Sequence, residues 1–387
     1  MENGGSLSEN LNLKKMIPEA VAHFEDQLPN VKPDQDISER RSIIMLRDNS
    51  THNHNSDQSS DLEELAFEVV EKSQAGSKGK VSPQLKKLFD ASDSIRNEEP
   101  DELWFAPDFM IQTSLPASKP KGSVYTRKNG KMTLVIKPAS IFDDKGNLEE
   151  VFPYGIYPRI VLIWIVTEAV RTKSRFIDLG PSLNHFMTKK LGLSSGGAQR
   201  IQGIRKQILA LLGAPISALD SSAKSGFTND RARNLFVSTN YDLWTQNRAD
   251  AKSDAKQSSW LELSQEFYSY LNIDDVGPGP APLDMRAVQG LGKDVLALDI
   301  YSWVVWRVFA AKGRDTKAIR WATLQKQFGS EHKKTPEFKR DFMEALKKVR
   351  LLYPGLKFEV TPSTFKLLAS ELAIEPRARK RLYGKLS

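Results

Sequence analysis

The feature that most constrains this fold is an ordered series of helices and strands that occurs twice between residues 153 and 368. In each half, a long apolar helix precedes a short helix, a turn, an amphipathic helix and two short strands. The apolar helices are predicted at residues 158–173 and 294–311, and the amphipathic helices at residues 198–212 and 335–352. The chain therefore needs two similar units, each built around its own apolar helix.

This order of parts is typical of a winged helix. The predicted fold class is α+β, with tandem winged-helix domains (helix-turn-helix with a β-wing) preceded by a small β-hairpin region and a disordered N-terminal tail. The remaining predicted helices are 181–190, 283–291 and 323–328. The remaining predicted strands are 216–222, 234–240, 260–268, 319–321, 357–361 and 364–368. The predicted domain boundaries are 1–101 for the acidic tail, 102–246 for the hairpin and first winged helix, 247–259 for a polar linker, 260–375 for the second winged helix and 376–387 for a basic tail.

The segment before the first unit begins with a polar tail. Ser, Asn, Asp, Glu and Gln dominate residues 1–100, which predicts disorder because such a composition has little to bury. Short helices at residues 61–73 and 83–89 could dock to a partner or exist only as transient helices. A strand at residues 109–115 and a hairpin at residues 123–136 follow, and Asn129-Gly130 is expected to supply both positive-φ positions of a type I′ turn.

The charge of the chain is strongly divided along its length. The net charge is +8, but residues 1–100 hold 12 basic and 19 acidic side chains. Residues 101–387 hold 44 basic and 29 acidic side chains, a net charge of +15. A basic globular part is the expected footprint of a polyanionic partner, although an excess of lysine can also serve solubility alone.

Several classes of protein are disfavoured by what the sequence lacks. It has no cysteine and five histidines, three of them in the polar N-terminal region, so we expect no disulfide, no metal site and no cofactor. No phosphate-binding loop motif occurs, and His52-Asn53-His54 lies in a polar segment rather than on a strand, so we expect no enzymatic activity. No apolar run is long enough to span a membrane and no signal peptide is apparent, so we expect a cytoplasmic protein without membrane contacts.

The first amphipathic helix has the pattern of a helix that reads DNA. Such a helix buries one face and presents polar side chains to the major groove, where Arg pairs with guanine and Gln with adenine. Gly203 has no side chain to hold DNA away, although glycine costs a helix about 1 kcal/mol. The predicted DNA contacts on this helix are Gln199, Arg200, Gln202, Arg205 and Lys206.

The second amphipathic helix carries a stripe of cations opposite its apolar face. The predicted contacts here are Lys339, Arg340, Lys347, Lys348 and Arg350. The strand ribbons add predicted phosphate contacts at Lys224, Arg231, Arg233 and Lys366. For both helices the alternative is an ordinary solvated surface, and the basic C-terminal tail is either a further phosphate contact or only a charged terminus.

Residues 152–179 carry a recognisable set of motifs. They include Pro153-Tyr154-Gly155-Ile156-Tyr157-Pro158-Arg159 and Thr167-Glu168-Ala169-Val170-Arg171-Thr172. Further motifs are Asp178-Leu179-Gly180-Pro181-Ser182-Leu183, Pro282-Leu283-Asp284-Met285-Arg286-Ala287, Ala297-Leu298-Asp299-Ile300-Tyr301, Trp321 and Gln327-Phe328-Gly329-Ser330. Together they resemble the plasmid-encoded replication initiators of the RepA C-terminal family, over roughly residues 105–370.

The resemblance implies a protein that binds double-stranded repeats at a plasmid origin and recruits the host replication initiator and replicative helicase. It also implies autoregulation of its gene, with a role in plasmid copy control, and a possible homodimer. The alternative function is a winged-helix transcriptional repressor that uses the same modules on an operator. The resemblance transfers no DNA-reading residues, so the predicted contacts depend on the helix-face argument alone.

Overall fold

The computed structural model describes residues 82–130, 132–143, 145–195, 197–224, 227–244, 258–271, 279–329 and 332–384, without the side chains of 220–224, 227–232, 379–380 and 383–384. The helices are α1 (Pro83–Asn97), α2 (Asp108–Thr113), α3 (Ile156–Thr172), α4 (Leu183–His185, continued by a π-helical turn at Phe186–Lys190), α5 (Ala198–Gly213), α6 (Gln265–Leu271), α7 (Met285–Gly290), α8 (Val295–Ala311), α9 (Trp321–Phe328), α10 (Thr335–Leu352) and α11 (Pro376–Gly384). Among these residues no helix has both the length and the apolar character of a membrane span.

The strands form five small sheets. They are β1 (Leu103–Ala106), β2 (Tyr125–Asn129), β3 (Met132–Ile136), β4 (Ala139–Phe142), β5 (Leu148–Val151), β6 (Phe176–Gly180), β7 (Ile216–Lys224), β8 (Phe227–Leu235), β9 (Ser238–Asp242), β10 (Ser259–Leu263), β11 (Ala281–Asp284), β12 (Ile319–Arg320), β13 (Phe358–Val360) and β14 (Thr364–Leu367). In the described residues the sheet orders are β1-β11, β6-β10-β9, β12-β14-β13, β2-β3-β7-β8 and β4-β5. The chain is thus a mixed α/β protein with small antiparallel sheets.

The second half follows the predicted order closely. The apolar helix α8 is buried along almost its whole length, and α9 and α10 follow it at the predicted positions. Strand β12 precedes α9 and pairs with β14, the second strand of the ribbon, with Ile319 opposite Phe365. Aromatic rings fill the space between these parts, since Trp321, Phe342 and Phe365 contact one another.

The first half has the same order of elements but distributes its strands differently. Helices α3, α4 and α5 precede the long ribbon β7–β8, which joins the upstream hairpin β2–β3 in one sheet. Strand β6 pairs instead with β10, and β10 also pairs with β9. Because β10 lies beyond the predicted linker and β11 pairs with β1, the two halves share sheets. The predicted linker residues 247–257 lie outside the described residues, and the division into two domains stays a prediction.

The predicted hairpin is confirmed, but its turn lies one residue later than expected. Asn129 pairs with Met132, so Gly130 is the first residue of the two-residue loop and has a φ of 58°. Asn129 remains in the strand because its side-chain amide donates a hydrogen bond to the carbonyl of Gln112 at 2.8 Å. The expectation of positive φ at Asn129 is therefore wrong.

Two predicted strands are wrong in part because buried apolar runs do not distinguish a strand from a short helix. Residues 109–113 of the predicted strand 109–115 are helical, and the strand of this region is β1, just upstream. The predicted strand 260–268 ends at Leu263. Ser264 then accepts a hydrogen bond from the amide of Phe267 and begins α6, as serine commonly does at a helix N-terminus.

Smaller differences affect two other segments. The predicted strand 234–240 is divided between the ends of β8 and β9, because the chain breaks its pairing at residues 236–237. Within the predicted helix 283–291, residues up to Asp284 are strand β11. The Asp284 side chain then accepts a hydrogen bond from the amide of Arg286, so the helix begins only at Met285.

The acidic tail is shorter than predicted. Helix α1 extends to Asn97 rather than residue 89, and it packs against α7 and α10 through Leu85, Leu88 and Phe89. Arg286 fixes its end by donating hydrogen bonds to the carbonyls of Ser94 and Glu98 at 2.9 and 3.1 Å. The expectation of disorder is therefore wrong for residues 83–97. The predicted helix 61–73 lies outside the described residues.

A buried ion pair joins the two long apolar helices. Arg159 of α3 is fully buried, and its guanidinium forms a bidentate pair with Asp299 of α8 at 2.8 and 2.9 Å. The remaining N–H groups donate to the carbonyls of Leu115, Pro116 and Gly155. All five donors of the guanidinium are therefore used, which is the condition under which a buried charge is tolerated.

Removing either partner of this pair should destabilise the whole chain. We expect Arg159→Met and Asp299→Leu each to lower the free energy of unfolding by about 3–5 kcal/mol, because each leaves an unpaired buried charge. The double variant should lose less than the sum of the two, since neither charge remains. Urea unfolding followed by circular dichroism measures all three, and losses below about 1 kcal/mol for both single variants would contradict this account.

Candidate nucleic-acid interface

Helix α5 projects its N-terminal half into solvent. Four successive positions on one stripe, Gln199, Gln202, Gly203 and Lys206, are exposed, while Ile204 on the opposite side is fully buried. From residue 207 to residue 212 every side chain is buried against α3 and β4. The amphipathic pattern predicted from the sequence is present, and it exposes the helix end that reaches base edges in helix-turn-helix proteins.

The charged residues of α5 have different surroundings. Lys206 pairs with Glu149 of β5 at 2.7 Å, and Arg200 donates hydrogen bonds to Tyr157 and Ser194 at 3.1 and 3.0 Å. Arg205 is half-buried, and its Nε has no hydrogen-bond partner among the described residues. Arg200 thus supports the turn before α5, whereas Gln199 and Gln202 are the predicted contacts that stand most openly on its surface.

The first ribbon is formed by β7 and β8, although β8 begins earlier than the predicted strand 234–240, and its cations are only partly described. Lys224 and Arg231 lie on β7 and β8, and their side chains are outside the described atoms. Arg233 lies on β8 further from the turn of the ribbon, with its guanidinium 5.2 Å from the ring centre of Tyr270. Tyr270 in turn hydrogen-bonds to Asp108, and burial raises the pKa of its hydroxyl. Arg233 therefore belongs to a contact between the ribbon and α6.

In α10 the predicted cations do not share one open face. Lys339 turns toward the ribbon, where its ammonium donates to the carbonyl of Thr361 at 3.0 Å and lies over the ring of Trp321. Lys348 turns the other way and pairs with Asp294, the N-cap of α8, at 2.6 Å. These two residues connect α10 to its neighbours within the same half.

The other predicted cations of this half also have intramolecular partners. Lys347 lies 3.6 Å from Glu344, and Arg350 lies over the ring of Phe358. Lys366 pairs with Asp315 at 2.7 Å, and this contact raises the pKa of the lysine and lowers that of the aspartate. Helix α1 also covers the C-terminal half of α10, since Ser92 donates to the carbonyl of Leu351.

Arg340 is the most exposed of the five predicted cations on α10. Its guanidinium donates to Asp341 at 3.0 Å, and His332 lies 2.6 Å from the other oxygen of that carboxylate. Partial burial would raise the pKa of Asp341, but these two hydrogen bonds lower it below its usual value. Asp341 therefore stays ionised and holds the turn between α9 and α10 against the helix.

The structure adds four cations that the sequence analysis missed. They are exposed and form no ion pair within the described ranges, and they lie in α9, just before it, or in the turn that leads into α10: Arg320, Lys326, Lys333 and Lys334. A helix N-terminus with adjacent lysines is a favourable place for a phosphate. The sequence does contain a signal, the pair Lys333-Lys334 directly before the helix. The faces of the helix do not include these two residues.

The motif residues singled out in the sequence mostly lie in the core. Trp321 is buried, and its indole donates to the carbonyl of Thr361, which fixes the ribbon against α9. Asp284 pairs with Arg286 at 2.7 Å, and Arg286 holds α1. The motifs therefore define how the elements pack, while the candidate DNA-facing side chains lie elsewhere. Among the described residues no group of three or more His, Cys, Asp or Glu side chains is placed to hold a metal ion.

Comparisons with known proteins give a family match by sequence and several matches by structure. Two crystal structures of RctB, one of selenomethionine derivatives of its domains 2 and 3 and one of its domains 2–3, resemble this chain with TM-scores of 0.44 and 0.41. Both are 12% identical to it, and the similarity covers 69% of this chain and 98% and 95% of those chains. No curated protein matches the sequence.

The sequence match is to a family model described as plasmid encoded RepA protein, over residues 152–323. This range begins before α3 and ends within α9, so it contains α5, α8, the buried Arg159–Asp299 pair and most of the motifs noted above. The upstream hairpin, α10 and the second ribbon lie outside it. Residues 152–323 of this chain thus match the family that the motifs in the sequence predicted.

Proposed function

We propose that this chain is a plasmid replication initiator that binds double-stranded repeats at its origin sequence-specifically. The observation that carries the proposal is the exposed polar stripe on the N-terminal half of α5, opposite an apolar stripe on which Ile204 and Ile208 are buried. Glutamine amides on such a stripe can pair with adenine edges in the major groove. The ribbon β7–β8 would then lie along the adjacent phosphates.

In the second half, we propose a winged helix whose α10 binds with its N-terminal end rather than with its whole length. The order α8, β12, α9, α10, β13 and β14, with β12 paired to β14, supports this fold. Lys333, Lys334 and Arg340 surround the exposed start of α10, and the C-terminal half is covered by α1. Contacts from this half would therefore fall mainly on phosphates.

We further propose that the chain acts by binding and assembly rather than by catalysis, and that it recruits the host replication initiator and helicase. The net charge of +15 on residues 101–387 supports a polyanionic partner.

Footprinting on DNA that flanks the gene should reveal regularly spaced protected repeats. A plasmid that carries only the gene and these repeats should replicate, whereas binding without replication would favour a transcriptional repressor. A covalent protein–DNA adduct formed on supercoiled origin DNA would contradict the non-catalytic proposal.

Replacement of Gly203 by alanine should raise the stability of the chain and lower its affinity for DNA. A Cβ at this position meets no atom within 4 Å, so Gly203→Ala should stabilise the chain by roughly 0.5–1 kcal/mol through helix propensity. The same methyl group would stand between α5 and the groove and should weaken binding to the repeat. Thermal unfolding and fluorescence anisotropy measure the two effects. A more stable variant with unchanged affinity would remove Gly203 from the interface.

Gln202 should contribute to recognition of one base pair. We expect Gln202→Ala to weaken binding to the repeat by about 1–3 kcal/mol and to leave binding to random DNA nearly unchanged. Gln265→Ala is a matched control, because Gln265 is an exposed glutamine on α6 and not on the proposed reading helix α5. Equal weakening on both DNAs would instead indicate a contact without sequence preference.

Lys333 and Lys334 should bind phosphates and therefore control the salt dependence. If six to ten phosphates are contacted, affinity should fall by about 10³–10⁵ between 50 and 200 mM salt. The variant Lys333→Ala/Lys334→Ala should reduce the slope of log K against log salt by about 2, on any DNA sequence. Lys348→Ala, which removes a lysine paired with Asp294, should leave the slope unchanged. A flat response of the unmodified chain would contradict the proposed DNA interface.

A further inference from the structure

The hairpin β4–β5 ends in two apolar side chains that the fold does not use. Phe142 and Leu148 are 68% and 66% exposed, the highest values among the large apolar side chains of the described residues. They face each other across the strands, directly before and after the turn. We call this pair the hairpin tip.

The hairpin is held by its other face. Ala139, Ile141 and Val151 are buried on the side that packs against α5, and Glu149 on that side pairs with Lys206. At the turn, the Asp143 carboxylate accepts hydrogen bonds from the amides of Lys145 and Asn147, both at 2.8 Å. The tip is therefore an apolar projection that contributes nothing to the core.

A groove of about 670 Å³ lies in the other half of the chain, between α1, the start of α8 and α10. Its walls are mainly apolar and include Leu88, Leu291, Val295 and Leu296. This volume falls within the range of roughly 300–1,000 Å³ typical of sites that bury an apolar ligand. At its edge Lys293 is exposed and forms no ion pair within the described residues, whereas Lys348 is neutralised by Asp294.

The tip and the groove are complementary in charge as well as in polarity. Glu150 lies on the outer face of the hairpin together with Phe142 and Leu148, and the turn carries Asp143 and the exposed Lys145. Carboxylates at these positions disfavour a phosphate backbone as the partner of the tip, and they favour a cation such as Lys293 at the edge of an apolar site. The hairpin tip of another copy of this chain is therefore a suitable occupant of the groove.

We propose that the hairpin tip of one copy inserts into the groove of a second copy. The two surfaces belong to different halves of the chain and are not the same patch, so the contact is head to tail rather than symmetric. Such a heterologous contact does not close at two copies unless the rotation between subunits closes a ring. Each bound copy therefore offers a free tip and a free groove for the next.

The test is performed without DNA, so its outcome does not depend on the proposed DNA binding. Sedimentation velocity of the full chain should show masses beyond a dimer as concentration rises. Phe142→Ser/Leu148→Ser should weaken self-association by about 10- to 100-fold, because two apolar side chains are no longer buried. Val295→Asp should block the groove of a folded chain, since Val295 is the first residue of α8, where a carboxylate is favourable. Phe236→Ser, which removes another exposed aromatic, should have no effect.

A mixture of the two defective chains gives the decisive result. The tip variant retains a groove and the groove variant retains a tip. Each variant alone should stay monomeric, and a mixture of the two should form dimers but nothing larger. A groove variant that self-associates like the unmodified chain would overturn the proposal, because the tips would then bind elsewhere or the groove would be filled from within its own chain. A monomeric unmodified chain, or a tip variant that loses single-repeat DNA binding but still self-associates, would also overturn it.

Discussion

The structure depends on the buried pair between Arg159 and Asp299. A charge with no exposure to water is stable only when every polar atom has a partner, and here one guanidinium satisfies a carboxylate and three backbone carbonyls. Those carbonyls belong to the segment 115–116 and to Gly155, so the pair fixes both long helices and the chain that passes between them. Through it the packing of one half sets the position of the other.

This constraint explains what the family motifs encode. Arg159 and Asp299 lie in two separate motifs, and Trp321, Asp284 and Arg286 have structural partners of their own. A core that depends on specific polar pairs tolerates few replacements, since removal of one partner leaves an unsatisfied group. Exposed side chains that bind a partner are under no such packing constraint. A match based on the motifs therefore reflects the packing of residues 152–323, and it leaves the contact residues to be found from exposure.

The sequence predicted most reliably those elements that have a strong period and clear ends. The bounds of α10 agree at both ends, because its apolar stripe alternates with charged residues over five turns. Elements that are buried on all sides, such as α2, have no hydrophobic period to recognise. The residues of β10 gave no sign that its partner strands lie in the first half. For the candidate site, Gln199, Gln202 and Lys206 of α5 are exposed as predicted, whereas Arg205 is half-buried and the cations of α10 could not be assigned. Whether Lys339 or Lys348 faces solvent depends on acids and carbonyls that are distant in sequence.

The two amphipathic helices are consequently not equivalent, although their sequences suggest equal roles. Helix α5 exposes amide side chains and a glycine on its open stripe, a surface suited to close approach and to hydrogen bonds with base edges. Helix α10 exposes lysines at its start, and its later turns support α1 and the start of α8. Base contacts discriminate between sequences and phosphate contacts determine affinity and orientation. The first half would therefore set which repeat is bound, and the second half how firmly the chain is held on it. Because the Arg159–Asp299 pair holds the two halves together, both kinds of contact would form in one fixed register.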